Sequence, residues 1–167
     1  MRRGDLVVTR SGARFLGRHF ACRVGRGGIS REKREGDGMS PAGVHRIVGM
    51  LFRADRVAAH TLPRWAEPIR PGDLWSDDSR DPEYNQLVQA PHPWRHERLW
   101  RADPVYDLIL MTDWNWPEAV PGQGSAIFVH CWRGPGHPTA GCVAFSRQDL
   151  FWIAARIEAQ TRVVIRG

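Results

Sequence analysis

Hydrophobic and polar positions change over in short runs along most of this chain, and only one stretch near the end has a helical period. Leu6-Val7-Val8-Thr9 and residues 14–24 read as two strands joined by a turn at Ser11-Gly12. Residues 44–52 read as a third strand, with mixed alternation, and residues 53–59 as a short turn of helix. Residues 106–112 form a core strand, continued by 113–116 and ended by a turn at Pro121-Gly122. Residues 125–131 are an apolar run closing on His130 and Cys131, the pattern of a buried strand that delivers a side chain to its carboxyl end. Ser146 with Asp149 three residues later makes a capping box. Leu150, Ile153, Ala154 and Ile157 then recur on one helical face, and residues 161–165 read as a last strand.

Two segments break this rhythm. Residues 25–43 are polar, with six glycines and Pro41, and read as loop. Residues 62–104 carry Pro63, Pro68, Pro71, Pro82, Pro91, Pro93 and Pro104, which preclude long regular elements. Trp65, Trp75, Tyr84, Trp94 and Trp100 give that segment enough apolar area to pack onto the rest. It reads either as a lid or wall over a site or as a surface excursion. The sum is one domain, residues 1–167, mostly β, with one main helix after Cys142 and long covering loops.

Charge changes this picture little. A formal net charge of +6 raises the possibility of a nucleic-acid partner. The arginines, however, are scattered through every segment, with no basic helix and no repeated basic-aromatic module, so they read as a solvated surface that also suits acidic peptides. No run of eighteen apolar residues exists to insert in a membrane. The first ten residues hold a charged start without an apolar core. With Met1 as the natural start the expectation is a cytoplasmic protein; with a leader removed it is a periplasmic one. Three cysteines make no disulfide framework, and Cys22, inside an expected strand, reads as a small buried residue.

The candidate chemistry lies at Cys142 and His130. A thiol after a glycine and an imidazole at a strand end are the parts of a nucleophile–base pair. Gly141 lets the backbone approach a substrate closely, and the amides of Gly141 and Cys142 are candidate oxyanion donors. His130, Cys131, His137 and Cys142 are also four zinc-capable residues within a short span. Adjacent positions 130 and 131 on a strand point to opposite faces, which argues against a shared metal ion, and no cofactor is expected.

These residues also carry a resemblance. Ile127-Phe128-Val129-His130, followed by Pro138-Thr139-Ala140-Gly141-Cys142-Val143-Ala144, resembles the signature of the L,D-transpeptidase (YkuD-like) catalytic domain. Arg26-Gly27-Gly28-Ile29 and residues 33–43, with Ser40-Pro41-Ala42-Gly43, resemble an upstream segment of that family ending in Thr/Ser-Pro-x-Gly. The chain departs from the pattern at Ala140, where the family usually has histidine, and at Ala144, often polar; His137 is a partial substitute for the first.

The resemblance implies a sandwich of two mixed sheets and a cysteine acyltransferase acting on peptidoglycan stem peptides or muropeptides. Cys142 would be the nucleophile and His130 the base, with the ring oriented by backbone at Cys131 and with Thr139 as a further orienting candidate. Polar residues of the covering segments, among them His96, Asn115 and His137, are candidates for lining the pocket. The acyl group would pass to an amine, giving a 3–3 cross-link, or to water; a non-catalytic peptidoglycan-binding relative is the other class.

Overall fold

The computed structural model describes residues 2–167. Its first strands are β1 (Leu6–Thr9), β2 (Gly12–Phe15), β3 (Arg18–Phe20) and β4 (Cys22–Arg23). The run expected as one strand over 14–24 is therefore three. Leu16 and Gly17 take φ of 48° and 82°, the two left-handed residues of a tight hairpin turn between β2 and β3.

The loop expected over 25–43 contains β5 (Gly28–Ser30) and β6 (Met39–Pro41), paired in parallel. Then comes β7 (Gly43–Phe52), the longest strand. Residues 53–58 form turns, and the helical turn, of 3-10 type, lies at Ala59–Thr61. The proline-rich segment is likewise more regular than its composition promised. It holds β8 (Glu67–Pro68), β9 (Asp73–Ser76), β10 (Leu87–Gln89) and β11 (His96–Arg98), the last three forming a small sheet in the order β10-β9-β11. The last three fit between prolines, whereas Pro68 ends β8, an edge strand paired with β7.

The remaining elements are a 3-10 turn at Pro104–Tyr106, where the strand expected from 106 has not yet begun, and β12 (Leu108–Thr112), β13 (Phe128–Cys131), β14 (Val143–Phe145), α1 (Arg147–Ala154) and β15 (Arg162–Ile165). Residues 113–116 turn away rather than extend β12, with Asn115 at φ 50°.

Two mixed sheets share β7. Its first half pairs with β15 and leads through β1 and β2 to β3, with β1 and β15 parallel. Its second half pairs with β12 and leads through β13 and β14 to β4, with β13 and β14 parallel. Only Ala21 separates β3 from β4, so the outermost strands of the two sheets are tied by one residue.

Leu6, Val8, Phe15 and Phe20 from the first sheet meet Leu108, Leu110, Val129 and Phe145 from the second in one buried cluster. Helix α1 closes it. The Ser146 hydroxyl caps α1 by accepting from the Asp149 amide at 3.1 Å, and Leu150, Ile153, Ala154 and Ile157 all face inward. At roughly 1.5–3 kcal/mol for each large apolar side chain buried, that stripe rather than the short helix's own propensity holds α1 in place.

The second sheet is apolar on its other face too. Ile109, Phe128, Tyr106 and Leu51 pack there against Trp75 and Leu99 of the small sheet and its flanks. Alternation along β13 thus sends Val129 and Cys131 to the main core, and Phe128 and His130 to the opposite side.

Candidate active site

Parallel pairing of β13 with β14 puts Val129 beside Val143 and His130 beside Ala144. Cys142, one residue before β14, therefore lies next to Phe128 and on the same face as His130. Both side chains line one cleft of about 440 Å³, together with Glu97, Tyr106, Arg133, His137 and Thr139.

The His130 ring is fixed. Its Nδ1 lies 2.8 Å from the Cys131 carbonyl. A carbonyl only accepts, so Nδ1 carries the proton and Nε2 is the basic nitrogen. Nε2 has no partner among the described residues. The Tyr106 ring meets the imidazole edge-on, with centroids 5.4 Å apart. Burial pushes the His130 pKa down to about 4; the Cys131 carbonyl opposes this and the charges of Arg101 and Arg133 add to it.

The Cys142 thiol donates to the Ala126 carbonyl at 2.9 Å and accepts from the Phe128 amide at 3.4 Å. Burial pushes its pKa up to about 12, and the Glu97 charge adds to the rise, while the Phe128 amide and Lys33 oppose it. At neutral pH both groups rest uncharged, a thiol and a neutral imidazole lining one cleft with no hydrogen bond between them. That state suits proton transfer on attack rather than a preformed thiolate.

The loop carrying Cys142 is braced from several directions. The Ser40 hydroxyl, fully buried, donates to the Gly141 carbonyl at 2.6 Å and accepts from the Gly25 amide at 2.9 Å. The Thr139 hydroxyl donates to the Cys142 carbonyl at 2.6 Å and accepts from the Gly141 amide at 3.1 Å. Gly141 has φ of 150°, and a Cβ there would lie 2.8 Å from the Met39 carbonyl oxygen. Glycine is required at this position by sterics.

These contacts revise several expectations. The Gly141 amide is engaged by Thr139 and does not point its hydrogen at the cleft as an oxyanion donor. Thr139 braces the cysteine loop and not the histidine. Cys131 touches His130 through its carbonyl, whereas its thiol lies in the main core, with its pKa pushed up to about 12 by burial. His137 lies exposed at the rim of the cleft.

His96 and Asn115 are not part of the cleft lining. Alternation on β11 turns Glu97 to the cleft, while His96 is held by the Trp94 carbonyl, 2.7 Å from its Nδ1. Asn115 staples its own loop, donating to the carbonyls of Val120 and Gly124 at 3.0 Å. No three His, Cys, Asp or Glu side chains converge as a metal-binding group among the described residues.

Asn85, which the sequence does not single out, is central. Buried and at φ 59°, it accepts from Trp75 Nε1 at 2.9 Å and from the Ala126 amide at 3.0 Å. It donates to the carbonyls of Trp114 and Asn115. It thereby holds Ala126, whose carbonyl receives the thiol. Residues 75–85 stand out in the sequence as a polar stretch resembling segments of shorter members of the family, but no role for Asn85 can be read there, and only the fold reveals its wiring. Glu97 lies in residues 96–100, whose polar groups the sequence marks as possible pocket lining without a role; its carboxyl accepts the Tyr106 hydroxyl at 2.7 Å, and burial raises its pKa.

Comparisons with curated proteins and with solved structures return no match. A family model described as the L,D-transpeptidase catalytic domain (YkuD) matches residues 4–165, nearly the whole chain. With the cysteine loop and the histidine strand meeting in one cleft of a two-sheet β fold, the chain belongs to the YkuD family of L,D-transpeptidase catalytic domains.

Proposed function

We propose that this chain is a cysteine acyltransferase that cleaves the bond between meso-diaminopimelate and D-alanine in peptidoglycan stem tetrapeptides. The observation that carries this is the presence, in one cleft, of the Cys142 thiol and an imidazole whose Nδ1 is tied to the Cys131 carbonyl. Nε2 takes the thiol proton as sulfur attacks the carbonyl carbon at the L-centre. The amide of Cys142, on the same residue as that sulfur, would be the oxyanion donor. The C–N bond then breaks, the imidazolium gives its proton to the departing amine, and a thioester is left on Cys142. An incoming amine attacks the thioester, loses a proton to Nε2 and releases the sulfur, which is reprotonated. The product is a 3–3 cross-linked dimer; with water as acceptor it is a tripeptide.

The test is incubation with disaccharide tetrapeptide and mass analysis of the products. Dimer formation supports transfer, whereas tripeptide without dimer assigns the same chemistry to water. A carbapenem should add one adduct to the intact protein, and Cys142→Ala should abolish it. No adduct and no turnover would overturn the enzymatic reading and leave a peptidoglycan-binding relative.

A further inference from the structure

Most charges around the cleft are answered within the protein. Lys33 pairs with Asp37 at 2.7 Å, Arg101 with Asp103 at 2.6 Å, and Asp77 with Arg95 at 2.9 Å. Near His130 two groups are left open. Glu97 uses Oε1 for the Tyr106 hydroxyl, and its second oxygen has no partner among the described residues. Arg133, three residues beyond His130, lines the cleft with an exposed guanidinium that has no hydrogen bond or ion pair among the described residues. The Arg133 charge acts on both His130 and Glu97, so the three share one neighbourhood. Arg26, also open, belongs to the cysteine loop instead, its amide donating to the Thr139 carbonyl at 2.8 Å.

The chemistry fixes what His130's neighbours meet. The imidazole protonates the leaving nitrogen and deprotonates the incoming one, so by microscopic reversibility both nitrogens occupy the same place. In the acyl-transfer reading, on which this inference rests, the leaving group is D-alanine, with a carboxylate on the carbon next to that nitrogen. An amine on any D-amino acid centre brings a carboxylate at the same distance.

We propose that Glu97 and Arg133 form a subsite for the head of a D-amino acid, Arg133 holding the α-carboxylate and Glu97 receiving the incoming α-ammonium. The ammonium gives one proton to the free Glu97 oxygen and becomes an amine. Its nitrogen attacks the thioester carbon, its second proton passes to His130 Nε2, and the C–S bond breaks. The imidazolium returns that proton to the Cys142 sulfur, and Glu97 releases its own to solvent. Planar guanidinium suits a carboxylate better than an ammonium group would.

The experiment supplies disaccharide tetrapeptide with isotopically labelled D-alanine or D-alaninamide and measures incorporation of each. D-alanine should enter about tenfold faster than the amide, the loss expected when one charge-assisted contact is absent. Arg133→Gln should remove that preference, and Arg133→Lys should restore part of it. Glu97→Gln should move the rise of incorporation to higher pH, because only the free amine then serves. Equal use of acid and amide by the native chain would overturn the subsite. So would an Arg133→Gln variant that slows both alike, which would mark a merely structural arginine. Absence of any tetrapeptide turnover and of Cys142 acylation would instead overturn the acyl-transfer reading, and the subsite with it.

Discussion

The thiol of Cys142 rests its proton on the carbonyl of Ala126, 2.9 Å away. Ala126 has φ of 50°, a left-handed conformation uncommon for alanine, and Asn85 holds it there through the amide. The thiol is thus parked on backbone and not on the imidazole, and in the proposed mechanism a bound substrate must draw it off.

Reactivity with a simple alkylating agent follows from this parking. With the Cys142 pKa pushed up to about 12, iodoacetamide labelling of the free protein should rise with pH in step with hydroxide across about pH 6–10. Cys22 and Cys131, buried and raised to about 11 and about 12, should stay unlabelled in the folded chain. Intact-mass kinetics checks this, and a rate flat across neutral pH would mean a thiolate–imidazolium pair.

His130 makes stability depend on pH. Its folded pKa of about 4 lies below the ordinary 6.5, so between those values the unfolded chain binds the extra proton. The stability it confers is fully present above pH 6.5 and is lost as pH falls toward about 4. The loss amounts to about 3 kcal/mol for a fully buried ring. Denaturant melts at several pH values should show a steeper acid decline for the native chain than for His130→Gln. His45, also lowered by burial, is common to both proteins and cancels in the difference.

Gly141→Ala should cost about 1–3 kcal/mol, because the new Cβ meets the Met39 carbonyl at 2.8 Å in a backbone region that alanine avoids. The cysteine loop must shift to admit it. Thermal melting should show the loss, and carbapenem acylation of Cys142 should slow with it.

Asn85→Ala should destabilise by about 3 kcal/mol, since it leaves Trp75 Nε1, the Ala126 amide and two carbonyls without their partner. Asn85→Asp keeps an acceptor for the two donors but sets an oxygen against the carbonyls of Trp114 and Asn115, so it should not rescue. Comparison of the two variants by denaturant melts and acylation rate tests the arrangement.

Much of the scaffold was legible because its signals are local. The strand runs at 6–9, 44–52 and 106–112, and the helix with its Ser146 cap, depend on residues close in sequence. The hairpin at Leu16-Gly17 was missed because one apolar run conceals a turn whose first residue is an ordinary leucine. The small sheet over residues 73–98 was missed because strands of three or four residues between prolines have no period long enough to read.

For the site, the motif around His130 and Cys142 pointed to two elements that the fold brings to one cleft. It did not separate His96 from Glu97, which alternation places on opposite faces of one short strand, nor give Asn115 its loop-stapling part. It had no means of reaching Asn85, whose four partners come from three separate stretches of the chain.

What the sequence by itself determined was the β-rich class and the family, because apolar period, capping and motif spacing are properties of neighbours. What only the tertiary structure decided was the resting state of the thiol, the tautomer of the imidazole and which charges stand open at the cleft. Those depend on burial and on contacts between positions such as 40 and 141 or 85 and 126, which chain order does not encode and packing creates.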